Sequence, residues 1–309
     1  MLKYVLKRLG YILVTLWVIV TCTFFMMKNL PGTPFDAERF SIMTPQQQER
    51  VLEMYGLNDS LPMQYVKYIK NMLKGDLGTS FTYVNQDVSK VITGRLGPSA
   101  LIGIQAVLIG LAIGLILGIL AAWKHNSGID YFTMILAVLG VSVPNFVAAA
   151  LLQYYIGLKW GALPVGFWTG WNCSVLPSIA LSFSATAMVA RFMRTEMLDV
   201  LDQDYIVTAR AKGLSQMKVL MRHAVRNSIL PVVTILGPIV VNLMTGSLAV
   251  ENIFSIPGIG SLFVDCIKAN DYPVIMGITI FYAAFYMLIV LLVDLAYSLI
   301  DPRIRLGGK

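Results

Sequence analysis

Residues 98–123 read PSALIGIQAVLIGLAIGLILGILAAW and contain no charged side chain. A helix needs about 20 apolar residues to cross a hydrocarbon core of ~30 Å, so this run can span a membrane. Gly110, Gly114 and Gly118 recur every fourth residue within it. Small residues at this spacing let two helices approach closely, and the stripe therefore predicts packing rather than chemistry.

The whole chain has the composition of a membrane protein. Of its 309 residues 57% are hydrophobic and 13% are charged, against roughly 25% charged in soluble domains. We predict an all-α polytopic membrane protein with six transmembrane helices. Their approximate ranges are 9–27, 98–123, 131–158, 175–192, 229–250 and 274–299.

Three of these segments carry a further signal. The first is longer than the apolar region of a signal peptide, about 7–15 residues, and is interpreted as a retained anchor. Pro144 predicts a kink or a break in the third. The fourth is semi-polar and suits a helix facing other helices or a water-filled path; its polar residues are Ser178, Ser182, Ser184 and Thr186.

The distribution of positive charge predicts the orientation. With Arg191, the regions 1–8, 124–130, 193–228 and 300–309 hold 14 of the 24 Lys and Arg residues. Because short cytoplasmic loops are enriched in Lys and Arg, both termini are expected in the cytoplasm. The predicted organisation is a transmembrane helix in 1–30, an extracytoplasmic helical segment 31–97, a core 98–300 with cytoplasmic loop 193–228, and a tail 301–309. Asp59-Ser60-Leu61-Pro62 is a plausible helix start in the extracytoplasmic segment.

Several kinds of chemistry are absent from the sequence. There is no GxxxxGK[ST] and no HExxH motif, and we expect no metal site and no cofactor in this chain. Gly97-Pro98-Ser99-Ala100 faintly resembles an intramembrane serine-protease motif. That interpretation fails, because the two histidines that could act as the base for Ser99, His125 and His223, are predicted on the opposite side of the membrane. Cys22, Cys173 and Cys266 form no framework; a Cys173–Cys266 disulfide is conceivable, but we expect free thiols. The isolated polar residues Gln153, Asn242 and Asp294 remain, and Asp294 is interpreted as structural.

Residues 204–231, DYIVTARAKGLSQMKVLMRHAVRNSILP, concentrate positive charge in the predicted cytoplasmic loop. Asp202 or Asp204 can cap a helix over about 205–212, and Gly213 suits the left-handed residue that ends one. A second helix, about 215–227, is expected to carry an apolar stripe and a basic face; the stripe is Met217, Leu220, Met221 and Ala224, and the basic face is Lys218, Arg222 and Arg226. Two interpretations compete: an amphipathic helix on anionic lipid, or a small-residue element that docks into a groove of another protein.

The same stretch resembles the cytoplasmic coupling loop of the ABC-importer permease family. Gly213 matches the glycine of that family's Glu-Ala-Ala signature, and Ile229-Leu230-Pro231 matches its end. Val207 and Thr208 replace the Glu and the first Ala, a form that is similar to the oligopeptide, dipeptide and nickel branch. LKYVLKRLGYILVTLWVIVTCTFFMMKNLPGTPF, YGLNDSLPMQYVKYIKNMLKGDLGTSF and VENIFSIPGIGSLFVDCIKANDYPVIMG also resemble that branch, and within it the first of the two permease subunits of oligopeptide importers.

The resemblance implies a type I ABC-importer permease in the bacterial plasma membrane, non-catalytic, serving oligopeptide import. Its implied partners are a second homologous permease, two cytoplasmic ATPase subunits that bind ATP and Mg, an extracytoplasmic peptide-binding protein, peptide and membrane lipid, and no nucleic acid. A dipeptide or nickel permease of the same branch stays open. So does a different class, a stand-alone channel or receptor with a lipid-binding basic loop.

The resemblance also assigns residues. Expected at the ATPase-coupling site are Asp204, Tyr205, Thr208, Ala209, Arg210, Ala211, Lys212, Gly213 and Leu214, with Ala209, Ala211 and Gly213 seated in the ATPase groove. Expected as a lever into the fifth helix are Arg222, His223, Arg226, Asn227, Leu230 and Pro231. Glu251 and Pro257-Gly258 are expected to shape an outer turn, and a contact with peptide stays open for them.

Overall fold

The computed structural model describes residues 2–29, 40, 42–54, 56–83, 85–244 and 248–300. Most of these residues are helical, and their β-structure is an isolated antiparallel bridge between Thr79 and Asp87. In chain order the α-helices are α1 (Leu2–Lys28), α2 (Pro45–Met54), α3 (Leu61–Met72), α4 (Val88–Trp123), α5 (Gly128–Ser142), α6 (Asn145–Leu152), α7 (Val175–Leu201), α8 (Asp204–Ala211), α9 (Gln216–Val219), α10 (Arg226–Met244), α11 (Leu248–Ile253), α12 (Ile259–Lys268) and α13 (Tyr272–Ile300). Two π-helical segments, Gln153–Lys159 and Leu220–Val225, and a 3-10 turn, Trp171–Ser174, complete the list.

The apolar helices agree with the predicted spans. Five are long and apolar enough to cross a membrane, namely Leu6–Lys28, Val88–Trp123, Trp171–Leu201, Gln216–Leu243 and Tyr272–Val293. The predicted third span is a pair of helices, Gly128–Ser142 and Asn145–Lys159, bent by 100°. Val143 is extended (ψ 119°), as expected before Pro144, because the proline ring disfavours α-conformation in the preceding residue.

One compact unit comprises residues 1–97 and 261–285. In it α1 packs on α3: Thr21 Oγ1 lies 2.7 Å from the Tyr65 hydroxyl, and the rings of Phe24 and Tyr65 are 5.4 Å apart. Helix α3 begins after Ser60 with Pro62 in its first turn, as the start signal predicted. The buried Asp271 carboxylate accepts hydrogen bonds from the Ser80 hydroxyl and from backbone N–H groups of residues 81 and 82.

The other compact unit comprises residues 98–260 and 286–309. Helix α7 carries much of its buried core, which includes Leu176, Leu181, Met193 and Met197. A Cβ added at Gly110 or Gly114 would lie 2.7 Å from the Cβ of Ala185 or Val189, and one at Gly118 would lie 2.6 Å from the Ala190 carbonyl oxygen. The glycine stripe therefore packs α4 against α7, as predicted.

The polar side of α7 also faces other helices. The buried Ser178 hydroxyl donates to Gln105 Oε1 (2.8 Å) and lies 3.2 Å from the Ile102 carbonyl oxygen, both on α4. Ser182, equally buried, donates to the carbonyl of Ile179 within its own helix (2.8 Å). Ser178 therefore contacts another helix, as one of the two interpretations of this span expects, and the water-filled path stays a prediction.

Two predicted boundaries were wrong. Helix α7 runs on to Leu201, so residues 193–201 of the predicted loop continue the fourth helix. The fifth apolar helix begins at Gln216 rather than at residue 229, and its predicted end falls near residues 245–247, outside the described part of the chain. Cooperative hydrogen bonding extends a helix into polar sequence wherever one of its faces is buried, and hydropathy alone misses this. Residues 301–309 and the side chain of Asp294 lie outside the described part of the chain.

Candidate functional site

The candidate coupling site is built on α8, and its beginning differs from the prediction. Gln203 is the extended residue before the helix (φ −77°, ψ 147°) and makes no side-chain cap. The predicted caps Asp202 and Asp204 were therefore wrong: Asp202 ends α7, and Asp204 is the first residue of α8. A carboxylate in the first turn is still favourable, because it faces the positive end of the helix dipole.

The end of α8 agrees with the prediction. Gly213 has φ +75°, and its N–H donates to the Arg210 carbonyl (2.9 Å), while the N–H of Leu214 points to the carbonyl of Ala209 (3.4 Å). This pair of bonds is the Schellman arrangement, which needs a left-handed residue and hence favours glycine. A Cβ at Gly213 would meet nothing within 4 Å. The chain itself therefore leaves open space at this turn.

The two faces of α8 differ. Ile206 and Ala209 are buried (0% and 6% exposed) in a small cluster with Val219, Val200 and Leu201. The predicted placement of Ala209 in a partner's groove was therefore wrong, because that side chain packs inside its own chain. The remaining predicted coupling residues are exposed: Asp204, Tyr205, Thr208, Arg210, Ala211, Lys212, Gly213 and Leu214. They form an exposed surface from Asp204 to Leu214. Val207, which is 58% exposed, adds an apolar side chain to this surface.

A π-helical segment connects the site to the fifth apolar helix. Residues 220–225 are π-helical between α9 and α10. A π-segment adds a residue to the turn and shifts which side chains face inward. Of the predicted apolar stripe, Leu220 and Ala224 are buried, whereas Met217 and Met221 are about half exposed beside the basic residues.

Two hydrogen bonds tie the short helix and α7 to the base of α10. The Asn227 side-chain amide donates to the Tyr205 hydroxyl (3.1 Å). The buried Ser228 hydroxyl lies 3.2 Å from the Glu196 carbonyl of α7 and 2.9 Å from that of Ala224. Sequence reasoning missed Ser228; a small hydroxyl residue where a basic segment enters an apolar helix was its only signal.

The other predicted lever residues lie around a surface groove. This groove has a volume of roughly 590 Å³ and is lined by Arg222, His223, Arg226, Asn227, Ile229 and Leu230. Pro231 lies inside α10, where it cannot donate a hydrogen bond to the Asn227 carbonyl. Among the described residues, none of the cations in this region has an ion-pair partner within the chain: Arg210, Lys212, Lys218, Arg222 and Arg226. Their charge is available to a partner or to lipid.

The turn that follows α11 has its own buried network. The Ser99 hydroxyl donates to Glu251 Oε1 (2.7 Å) and accepts from the backbone N–H of Ile259 (2.8 Å). A Cβ added at Gly258 would collide with the Glu251 carboxylate. Glu251 and Gly258 therefore shape this turn together with Ser99, and its place on the outer side stays a prediction.

Other sequence-predicted residues can also be placed. Gln153 donates to the carbonyls of Val165 (2.5 Å) and Ile253 (2.7 Å), which anchors the loop before the 3-10 turn.

The three cysteines are free thiols. Burial raises the pKa of the Cys266 thiol to about 12, and the carboxylates of Asp271 and Asp265 act in the same direction. In the described ranges, no three His, Cys, Asp or Glu side chains lie close enough to hold a metal ion.

Comparison with known proteins extends over nearly the whole chain. The model of the family described as binding-protein-dependent transport system inner membrane component matches residues 114–306, and that of its N-terminal part matches residues 1–96. The dipeptide transport system permease protein DppB of Lactococcus lactis subsp. cremoris is 46% identical over 306 residues, which cover 99% of this chain and 100% of the relative. The oligopeptide transport system permease protein OppB of Haemophilus influenzae is 39% identical over 307 residues, with 99% and 100% covered.

Two solved structures share the fold. An amino acid ABC transporter crystallised with histidines has a TM-score of 0.52 at 19% identity, covering 70% of this chain and 94% of that one. The MetNI methionine ABC transporter, in an inward-facing conformation, has a TM-score of 0.53 at 13% identity, covering 69% and 95%. At these identities the likeness concerns the fold alone.

Proposed function

We propose that this chain, which belongs to the family of binding-protein-dependent transport system inner membrane components, is a permease subunit of an ATP-driven peptide importer. It is a multi-pass protein of the bacterial plasma membrane and works with other components of an ABC transporter. The observation that carries the proposal is full-length, colinear similarity to permeases named for dipeptide and for oligopeptide transport.

The proposed complex has five kinds of participant. A second, homologous permease forms the other half of the path, and two cytoplasmic ATPase subunits bind ATP and Mg. An extracytoplasmic binding protein delivers the peptide, and lipid surrounds the spans. This chain holds no cofactor and catalyses no reaction in the proposal.

The exposed face of α8 is the proposed contact with an ATPase subunit. Small side chains at Thr208, Ala211 and Gly213 allow a close approach, while Arg210 and Lys212 supply charge. Ile206 and Ala209 fasten the helix to its own chain. A helix that is held on its inner face and exposed on its outer face can be moved as a unit by a partner.

Movement of α8 would then reach the membrane through two hydrogen bonds in succession. Tyr205 joins α8 to Asn227 at the base of α10, and the neighbouring Ser228 joins α10 to the Glu196 carbonyl of α7. ATP binding can shift the path between inward and outward states only through contacts that differ between those states. The docked face of α8 supplies such contacts in the proposal.

Transport in proteoliposomes tests the proposal. The chain is co-reconstituted with a homologous permease, an ATPase pair and a binding protein of the same organism, and uptake of labelled di-, tri- and pentapeptides and of ⁶³Ni²⁺ is measured with ATP and with a non-hydrolysable analogue. ATP-dependent peptide uptake is expected. Uptake of nickel alone would overturn the peptide assignment.

Uptake without ATP would favour the stand-alone channel instead. The exposed Met217, Met221 and basic residues of α9 and the π-segment give that alternative its one structural support, since such a face also suits anionic lipid. Omission of the ATPases discriminates the two, because a channel keeps its flux without them.

A further inference from the structure

One buried carboxylate joins α5 to α7. The Asp130 side chain is 3% exposed and lies in the first turn of α5. Arg194 of α7 donates to it twice, from Nε to Oδ1 (2.6 Å) and from Nη2 to Oδ2 (2.8 Å). Such a two-pronged pair defines the orientation of both groups as well as their distance.

The same carboxylate also holds the loop that connects α4 with α5. The backbone N–H of Asn126 donates to Asp130 Oδ2 (3.0 Å). His125 Nδ1 lies 3.1 Å from that oxygen and 3.2 Å from Arg194 Nη2, so its tautomer decides which of the two it bonds. Asn126 has φ +57°, a left-handed conformation that asparagine tolerates, and it turns the loop back onto the carboxylate. Three segments therefore meet at Asp130.

This junction lies next to the candidate coupling site. Arg194 precedes the end of α7, Leu201, by seven residues, or about 10 Å of helix at 1.5 Å per residue, and α8 begins three residues later. Glu196, whose carbonyl accepts from Ser228 of α10, follows Arg194 by two residues. The path from α8 through Asn227 and Ser228 therefore reaches the stretch of α7 that contains Arg194, the partner of Asp130.

Helix α5 contacts α7 near both of its ends. Near the far end, a Cβ added at Gly140 would lie 2.9 Å from the Phe183 carbonyl oxygen and 3.1 Å from the Ala187 Cβ, so the backbones are close there. Beyond Gly140 the helix is interrupted at Val143 and Pro144. The ion pair is a polar attachment between the first turn of α5 and the stretch of α7 that leads to α8.

We infer that Asp130 and Arg194 are positioning residues that transmit displacement of α8 into α5, so that the third apolar segment moves together with the fourth. The inference rests on the proposed function. Burial of a charge pair is by itself weak evidence for stability, because desolvation offsets most of the attraction. A defined orientation between two helices is what this geometry supplies in addition.

The test uses the complete transporter with Asp130→Asn, Arg194→Lys, and the double variant Asp130→Asn/Arg194→Lys. Peptide uptake and ATP hydrolysis are measured in the same proteoliposomes. Hydrogen exchange of α5 is followed with and without ATP. Asp59→Asn is the matched control, since it breaks an exposed ion pair of 2.6 Å with Lys67 in the other compact unit.

The expected result is an assembled transporter that hydrolyses ATP but moves about tenfold less peptide per ATP. The single and double variants should lose similar amounts, because each breaks the same two-pronged pair. In the wild type ATP should change exchange in both α8 and α5, and in the variants in α8 alone. Asp59→Asn should match the wild type.

If the ion pair has only a structural role, peptide uptake and ATP hydrolysis fall in proportion and less complex is recovered. That result overturns the inference. An unchanged uptake-to-ATP ratio overturns it as well. Absence of an ATP-induced change in α5 of the wild type overturns it whether or not uptake is seen. If peptide uptake is absent in the wild type while α5 responds to ATP, the proposed function fails and the inference stands.

Discussion

The side-chain amide of Asn227 donates a 3.1 Å hydrogen bond to the hydroxyl of Tyr205, joining the start of α8 to the base of α10. The two residues are 22 positions apart and both are exposed. The bond spans the glycine turn, α9 and the π-segment, so the helix with the exposed face and the apolar helix are connected directly as well as through the chain.

Removing this bond should affect coupling more than stability. Tyr205→Phe and Asn227→Leu each lose one exposed hydrogen bond, worth about 0.5–1.5 kcal/mol. We expect a small change in melting temperature and a severalfold loss of peptide uptake per ATP. In a double-mutant cycle the double variant should lose no more than either single variant. Additive losses would contradict a direct connection.

Gly213→Asp should insert normally into the membrane and fail to co-purify with the ATPases. A Cβ at this position meets nothing within 4 Å in the chain itself, so the added bulk can clash only with a partner. The left-handed backbone adds a strain of about 1–2 kcal/mol for a non-glycine residue. Gly75→Asp is the control, because Gly75 also has positive φ and open space around it. Full recovery of the ATPases with Gly213→Asp would remove the basis for the coupling assignment.

Ala209 and Ala211, two residues apart on α8, should respond differently to the same change. Ala209→Leu forces a larger side chain into the buried cluster, which should destabilise the loop by about 1–3 kcal/mol. Ala211→Leu projects into solvent and should leave the melting temperature unchanged while weakening ATPase binding. Thermal unfolding and pull-down separate the two effects. If Ala211→Leu bound the ATPases as well as the wild type, the exposed face of α8 would not be the contact.

Gly114→Ala should destabilise the second compact unit. Its Cβ would lie 2.7 Å from the Val189 Cβ and 2.9 Å from the Thr186 carbonyl oxygen, so α4 and α7 must separate. We expect a fall of several degrees in the melting temperature of the purified chain. Gly10→Ala, in α1, meets nothing within 4 Å and should be neutral or slightly stabilising, since alanine favours helix. Equal melting temperatures for the two variants would argue against close packing at Gly114.

Cys266 should resist thiol reagents over the neutral range. Its buried thiol has a pKa raised to about 12, and the thiolate is the reactive form. In a Cys22→Ser/Cys173→Ser background, maleimide should leave the native protein unlabelled between pH 7 and 9 and label it after denaturation in SDS. Because the folded-state pKa is raised, the thiolate fraction grows only as the pH approaches that value. Rapid labelling at pH 7 would show that the thiol is accessible.

The sequence predicted those parts of the site that depend on local preferences. Gly213 was recognisable because few residues besides glycine adopt the left-handed conformation that closes a helix. The break at Pro144 and the start at Ser60–Pro62 follow from the geometry of proline. Ala209 was misplaced because alanine suits a groove and a core equally well, and only the position of Val219 distinguishes them. The stripe at Met217 and Met221 was misplaced because a π-segment changes the register without any signal in the residue types.

By itself the sequence determined that this is a helical membrane protein, where most of its apolar helices run and which segment carries the exposed basic surface. Hydropathy and backbone preference depend on residues that are close together in the sequence, so the sequence is sufficient to predict their effects. Tertiary structure alone decided that Asp130 meets Arg194, 64 residues away, and that Asn227 meets Tyr205. Those pairs exist because the close approach of α5 to α7, and of α8 to α10, brings polar groups from distant parts of the chain within hydrogen-bonding distance.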